Sequence, residues 1–165
     1  MAITTLRELY IDQLQDIYSA NRQSLEATKK MRDKASESDL KAALDDGLKG
    51  IEDGMKQVKA LIEGHDADPT GEHCKGMEGL VKEANAHAID ANIDDKDVRD
   101  ASIITQYQRM VHYGIAGYGT AQAFAKRLGL NDDAATIGKC LDETYDGDTR
   151  MNKIARREVN PAAAA

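Results

Sequence analysis

Ile103-Ile-Thr-Gln-Tyr-Gln-Arg-Met-Val-His-Tyr-Gly-Ile-Ala-Gly-Tyr-Gly-Thr120 is the stretch on which the fold turns. Ile104, Tyr107, Val111, Gly114, Tyr118 and Ala121 recur at spacings of three and four, which is the pattern of one helical face. That face is expected to point into a helical bundle. Two features set it apart. It is rich in glycine, which costs about 1 kcal/mol per helix-interior position against alanine. It also carries no acid where a bundle of this kind would hold a metal ion.

Working outward, this helix is expected from about Asp97 to Leu128, stopped by Gly129. Asn131 is read as the cap of the next helix, with Asp132 and Asp133 supplying first-turn negative charge. That last long helix is expected from about Asp132 to Glu158, on a stripe of Ile137, Cys140 or Leu141, Thr144, Asp148, Met151 and Ala155. The tail Asn160-Pro-Ala-Ala-Ala-Ala165 is expected to fray.

Upstream, Asn92 to Lys96 is a charged turn, and a shorter helix is expected from about Glu72 to Ala91. His65 to Gly71, with Pro69, is the longest loop. The second long helix is expected from about Ser38 to Glu63, with Leu40, Leu44, Leu48, Ile51, Met55, Val58 and Ile62 inward. Gly47, Gly50 and Gly54 sit beside that stripe. Ser36 and Ser38 are its candidate caps. The first long helix is expected from Thr4 or Thr5 to about Lys34, on Leu6, Tyr10, Leu14, Ile17, Asn21, Leu25, Thr28 and Met31. Short connections make each long pair an antiparallel hairpin. The expected architecture is all-α: one domain over residues 1–165, a ferritin-like four-helix bundle with one long crossover carrying a short fifth helix.

With 165 residues and a net charge of −7, the chain has no basic face for nucleic acid. It holds no apolar run long enough to span a membrane. The first residues show no secretory leader, so a cytoplasmic protein is expected, with Cys74 and Cys140 as reduced thiols.

Four stretches together carry a family likeness: Leu14 to Gln23, Cys74 to Ala84, Val98 to Ile104, and His112 to Thr120. Through them the sequence resembles the YciF/YciE-type stress-protein family of the ferritin-like superfamily. The resemblance implies a homodimeric bundle with a di-iron-type carboxylate site at mid-height. Carried over position by position, that site is vacated. The first-helix Glu of the family falls at Asn21. The second-helix His and Glu fall at Gly47 and Gly50, and a Gln one turn later at Gly54. The third-helix acids fall at Val111 and Gly114. On the last helix a Glu falls at Thr144, and only Asp148 is retained; Glu143 sits one position off the stripe.

The leading expectation is therefore a non-enzymatic, stress-associated homodimer, with no catalytic residues and no di-iron site. The alternative is a small-molecule pocket where the metal stood, lined by Asn21, Gly47, Gly50, Tyr107, Val111, Gly114, Thr144 and Asp148. Iron handling or oxidase chemistry ranks last, because its ligands are missing. The unidentified small molecule is the only cofactor-like partner the residues suggest. The glycines leave a choice open: Tyr18, Tyr107, Tyr118 and Tyr145, read as inward, fill the space, or a cavity remains. Asn21 is expected to pair with Asp148 or Thr144, and His112 to make a structural hydrogen bond.

Overall fold

The computed structural model describes residues 3–165; Met1 and Ala2, which begin the stretch read as carrying no leader, lie outside it. Helix α1 spans Leu6–Lys34. Thr5 caps it through a reciprocal box: its hydroxyl accepts from the Glu8 amide at 3.2 Å, and the Glu8 carboxylate accepts from the Thr5 amide at 2.9 Å. Helix α2 spans Ser38–Gly64. Its cap is Glu37 rather than either serine, because the longer carboxylate reaches the Leu40 amide at 2.6 Å. The turn before it is fixed from outside. Buried Asp100 accepts from the amides of Ser36 and Glu37 at 2.9 and 2.8 Å.

Helix α3 spans Lys75–Ala84 and runs on through a π-helical turn at Asn85–Ile89. It starts three residues later than expected, because Cys74 occupies the cap position and its sulfur accepts from the Met77 amide. Helix α4 spans Lys96–Arg127, capped by Asp95, and ends where Gly129 takes φ 73°. Helix α5 spans Asn131–Ile154. Asn131 is its first helical residue rather than its cap; Leu130 holds that position and supplies no acceptor. The tail is not frayed. A π-helical turn, Ala155–Val159, leads into the short helix α6, Asn160–Ala163, with Val159 buried and Pro161 in the first turn, where a missing N–H leaves no bond unmade.

The chain is an all-α bundle of two antiparallel hairpins, α1–α2 and α4–α5. Side by side, α1 packs on α4 and α2 on α5. The crossover lays α3 against α1 and α4, so one face of the bundle is covered and the α2–α5 face is not. Among the described residues no helix is long and apolar enough to cross a membrane.

The expected stripe of α1 is buried from Tyr10 to Met31. The stripes of α2 and α5 are buried only towards their ends. Leu48, Ile51 and Met55 are half-buried, as are Thr144 and Asp148, between buried Leu44 and Val58 on one helix and Cys140 and Met151 on the other. The apolar core accordingly divides in two. One cluster gathers Met31, Leu40, Leu44, Ile103 and Met151, the other Tyr10, Leu14, Val58, Ile62 and Ile137. Fully burying such side chains contributes about 1.5–3 kcal/mol each.

Candidate functional site

The two core clusters meet at mid-bundle, at the height of the helix-interior glycines. Tyrosines fill some of that space. The Tyr107 hydroxyl lies against Gly47 where a side chain would begin, and the Tyr118 hydroxyl lies 2.6 Å from the position a Cβ would take on Gly54. Ile17 packs on Gly117 in the same way at 3.0 Å. Gly50, Gly114 and Gly147 face open space. A Cβ on Gly50 or Gly147 would meet nothing within 4 Å, and one on Gly114 only the Thr144 methyl at 3.9 Å. Tyr145, read as inward, points out instead, with 51% of its surface exposed.

What remains is a cavity of about 460 Å³. Of the eight residues expected to line it, Asn21, Gly47, Gly50, Tyr107, Val111, Gly114 and Thr144 do so. Asp148 does not. Its carboxylate accepts from Gln108, from Asn152 and from Nε2 of His112 at 3.0, 3.3 and 3.0 Å, which ties it to α4 and to its own helix. His112 is thereby the structural partner the sequence suggested. Asn21 bonds neither Asp148 nor Thr144. Its amide donates to the Tyr118 hydroxyl at 2.9 Å, while the Thr144 hydroxyl donates back to the Cys140 carbonyl at 2.6 Å.

Several lining residues escaped the sequence reading. Met77 and Tyr113 come from the crossover and from the far side of α4. Thr28 was legible only as one more stripe position. It is fully buried, and its hydroxyl is the one buried side-chain polar atom among the described residues with no hydrogen-bond partner. Asp46, Asp53, Glu143, Asp146 and Arg150 are exposed and form the mouth, all from α2 and α5. Flanking acids at helical spacing read as a solvated surface until the helix opposite is known.

The electrostatics separate wall from mouth. Burial, then the charge of Asp148, pushes the Tyr107 phenol up to about 12. Burial raises the Tyr118 phenol as well and lifts the Cys140 thiol to about 11. These groups stay protonated and neutral near pH 7, so the walls offer hydrogen bonds and polarisable surface. Charge is confined to the mouth, where Arg150 of α5 pairs with Asp46 of α2 at 2.6 Å. Both cysteines are buried free thiols. Cys74 meets the Tyr113 hydroxyl at 2.9 Å, which in turn donates to Asp16.

A di-metal centre does not fit this donor set. Two cations need bridging carboxylates with His or carboxylate end ligands. Asn21, Val111, Thr144 and the glycines offer no anionic donor, and Asp148 faces elsewhere. Among the described residues no group of three or more His, Cys, Asp and Glu side chains is gathered where an ion would be held.

Comparison with known proteins places this scaffold. The family described as "Domain of unknown function (DUF892)" matches residues 5–164. Protein YciF of Escherichia coli (strain K12) is 29% identical over 164 residues, covering 99% of this chain and 98% of that protein. The crystal structure of the E. coli stress protein YciF superposes with a TM-score of 0.88 at 30% identity, over 96% of this chain and 99% of that one. YcfI from Rhodopseudomonas palustris superposes with a TM-score of 0.86 at 33% identity, over 93% and 96% of the two chains.

Proposed function

This chain belongs to the DUF892 family, and on that premise we propose that it is a non-enzymatic, stress-associated bundle protein that holds a small, largely apolar molecule where a metal pair would otherwise sit. The stress association is supported by the likeness to the E. coli stress protein YciF. The binding role is carried by one observation: Gly50, Gly114 and Gly147 open onto a cavity of about 460 Å³ instead of allowing close helix contact.

Magnitudes favour an occupant. A cavity of this volume lies within the ordinary range for ligand pockets, about 300–1,000 Å³. The space opens between α2 and α5, so it is filled by entering water or by a ligand. The lining sets Ile17, Ala20, Ile51, Met77, Met110 and Val111 beside the polar Asn21, Ser24 and Thr144, so ordered waters, each wanting two to four polar partners, are served by only part of the wall. An apolar molecule satisfies these walls better.

Native mass spectrometry of the full chain tests the reading, because it reports metal, small molecule and oligomeric state at once. The expected spectrum is a homodimer with a small organic mass and no paired metal ions. Two iron or manganese ions per chain would overturn the metal-free reading. Gly114→Phe, which aims a ring into the cavity, is expected to remove the bound mass while leaving the helical circular dichroism intact. Retention of that mass would place the ligand elsewhere.

A further inference from the structure

We propose that the occupant of this pocket is a cation: a protonated amine carried on a compact apolar body, with the ammonium at the α2–α5 mouth and the body inside. The inference rests on the pocket reading above and assigns the ligand's charge.

The mouth is anionic. It presents four carboxylates, Asp46, Asp53, Glu143 and Asp146, against one guanidinium, Arg150. These acids are not equivalent. Asp46 is paired with Arg150 at 2.6 Å and Lys49 at 3.4 Å, and Asp53 with Lys56 at 3.2 Å. Glu143 and Asp146 have no ion-pair partner among the described residues. They stand three apart on α5, so their side chains are neighbours and repel one another. A cation at the mouth would relieve that repulsion; an anion would add to it.

A second observation is independent of the rim. Thr28 lines the cavity on α1, fully buried, with an unpartnered hydroxyl. A helical threonine ordinarily bonds back to the carbonyl four residues earlier. Thr28 does not, and no protein atom replaces that bond, so one hydroxyl of a residue in the pocket lining is left unpaired by the protein. Tyr107 and Tyr113 add aromatic surface, which attracts cations and not anions. The paired interior groups supply no positive charge: the only guanidinium in the lining is Arg150, already engaged with Asp46.

Calorimetric titration of the full chain at low ionic strength tests the charge with three probes that share one apolar body: adamantylamine hydrochloride, adamantanol and sodium adamantanecarboxylate. The amine is expected to bind about tenfold tighter than the alcohol, from two unpaired surface carboxylates at low screening, with the carboxylate probe weakest. In E143Q/D146N the ratio of amine to alcohol affinity is expected to fall to within about twofold, because the charge term is gone. Both positions are exposed, so folding is expected to persist, checked by circular dichroism. If the alcohol binds as tightly as the amine, or the double variant keeps the amine preference, the charge assignment is overturned while the pocket reading stands. If none of the three probes binds, the pocket reading itself is overturned and the charge assignment with it.

Discussion

Gly47 and Gly50 sit one turn apart on α2 and have opposite surroundings. Alanine at Gly50 meets open space, so the gain in helix propensity is unopposed, and Gly50→Ala is expected to raise stability by about 0.5–1 kcal/mol in urea unfolding. Alanine at Gly47 collides with the Tyr107 hydroxyl, and Gly47→Ala is expected to be less stable than Gly50→Ala by about 1–3 kcal/mol. Tyr107 yields a second test. Its phenol is raised in the folded state, so its contribution is intact below the ordinary phenol value of about 10 and is lost as pH climbs through about 12. Across that window stability should fall by about 1.4 kcal/mol per pH unit for this one group, and Tyr107→Phe should remove that part of the slope. The sequence named both tyrosines and glycines but not which tyrosine covers which glycine, because that pairing joins residues about sixty positions apart.

At the scale of elements, helix number and order followed from apolar spacing, which is a local property of each segment. The caps were less legible. Ser36 and Ser38 are the better cap residues by type, yet Asp100 of α4 seizes the amides of Ser36 and Glu37 and hands the cap to Glu37. Asp100→Asn leaves one of these amides with a poorer partner and is expected to cost about 1–3 kcal/mol, read as a lower urea midpoint with an unchanged slope. Ser36→Ala should stay within about 0.5 kcal/mol of the parent. The same holds for the tail. Its alanines and Pro161 read as loose, but Val159 buries itself and carries the helix through to Ala163.

For the whole molecule, the placement of α3 is decisive. It covers the face made by α1 and α4, so the half-buried centres of α2 and α5 become the mouth of the pocket. A probe that fills the cavity should therefore stabilise the fold: at one hundred times its dissociation constant the gain is about 2.7 kcal/mol, measured as a rise in Tm. Gly114→Phe should abolish that rise.

The sequence by itself determined the five-helix order, the two hairpins and the inward stripe of α1, each from residue type and helical period, while seven of the residues that line the cavity were named through the family likeness. Only the tertiary structure decided that Asp148 turns to His112 and Gln108, that Asn21 bonds Tyr118, that Tyr145 faces solvent and that Glu143 and Asp146 flank an opening. The physical reason is rotational. Successive helical residues differ by about 100° around the axis, so period tells which residues share a face. Which neighbour that face meets, and whether tyrosine, solvent or a guest fills the gap, depends on how four axes are set against one another.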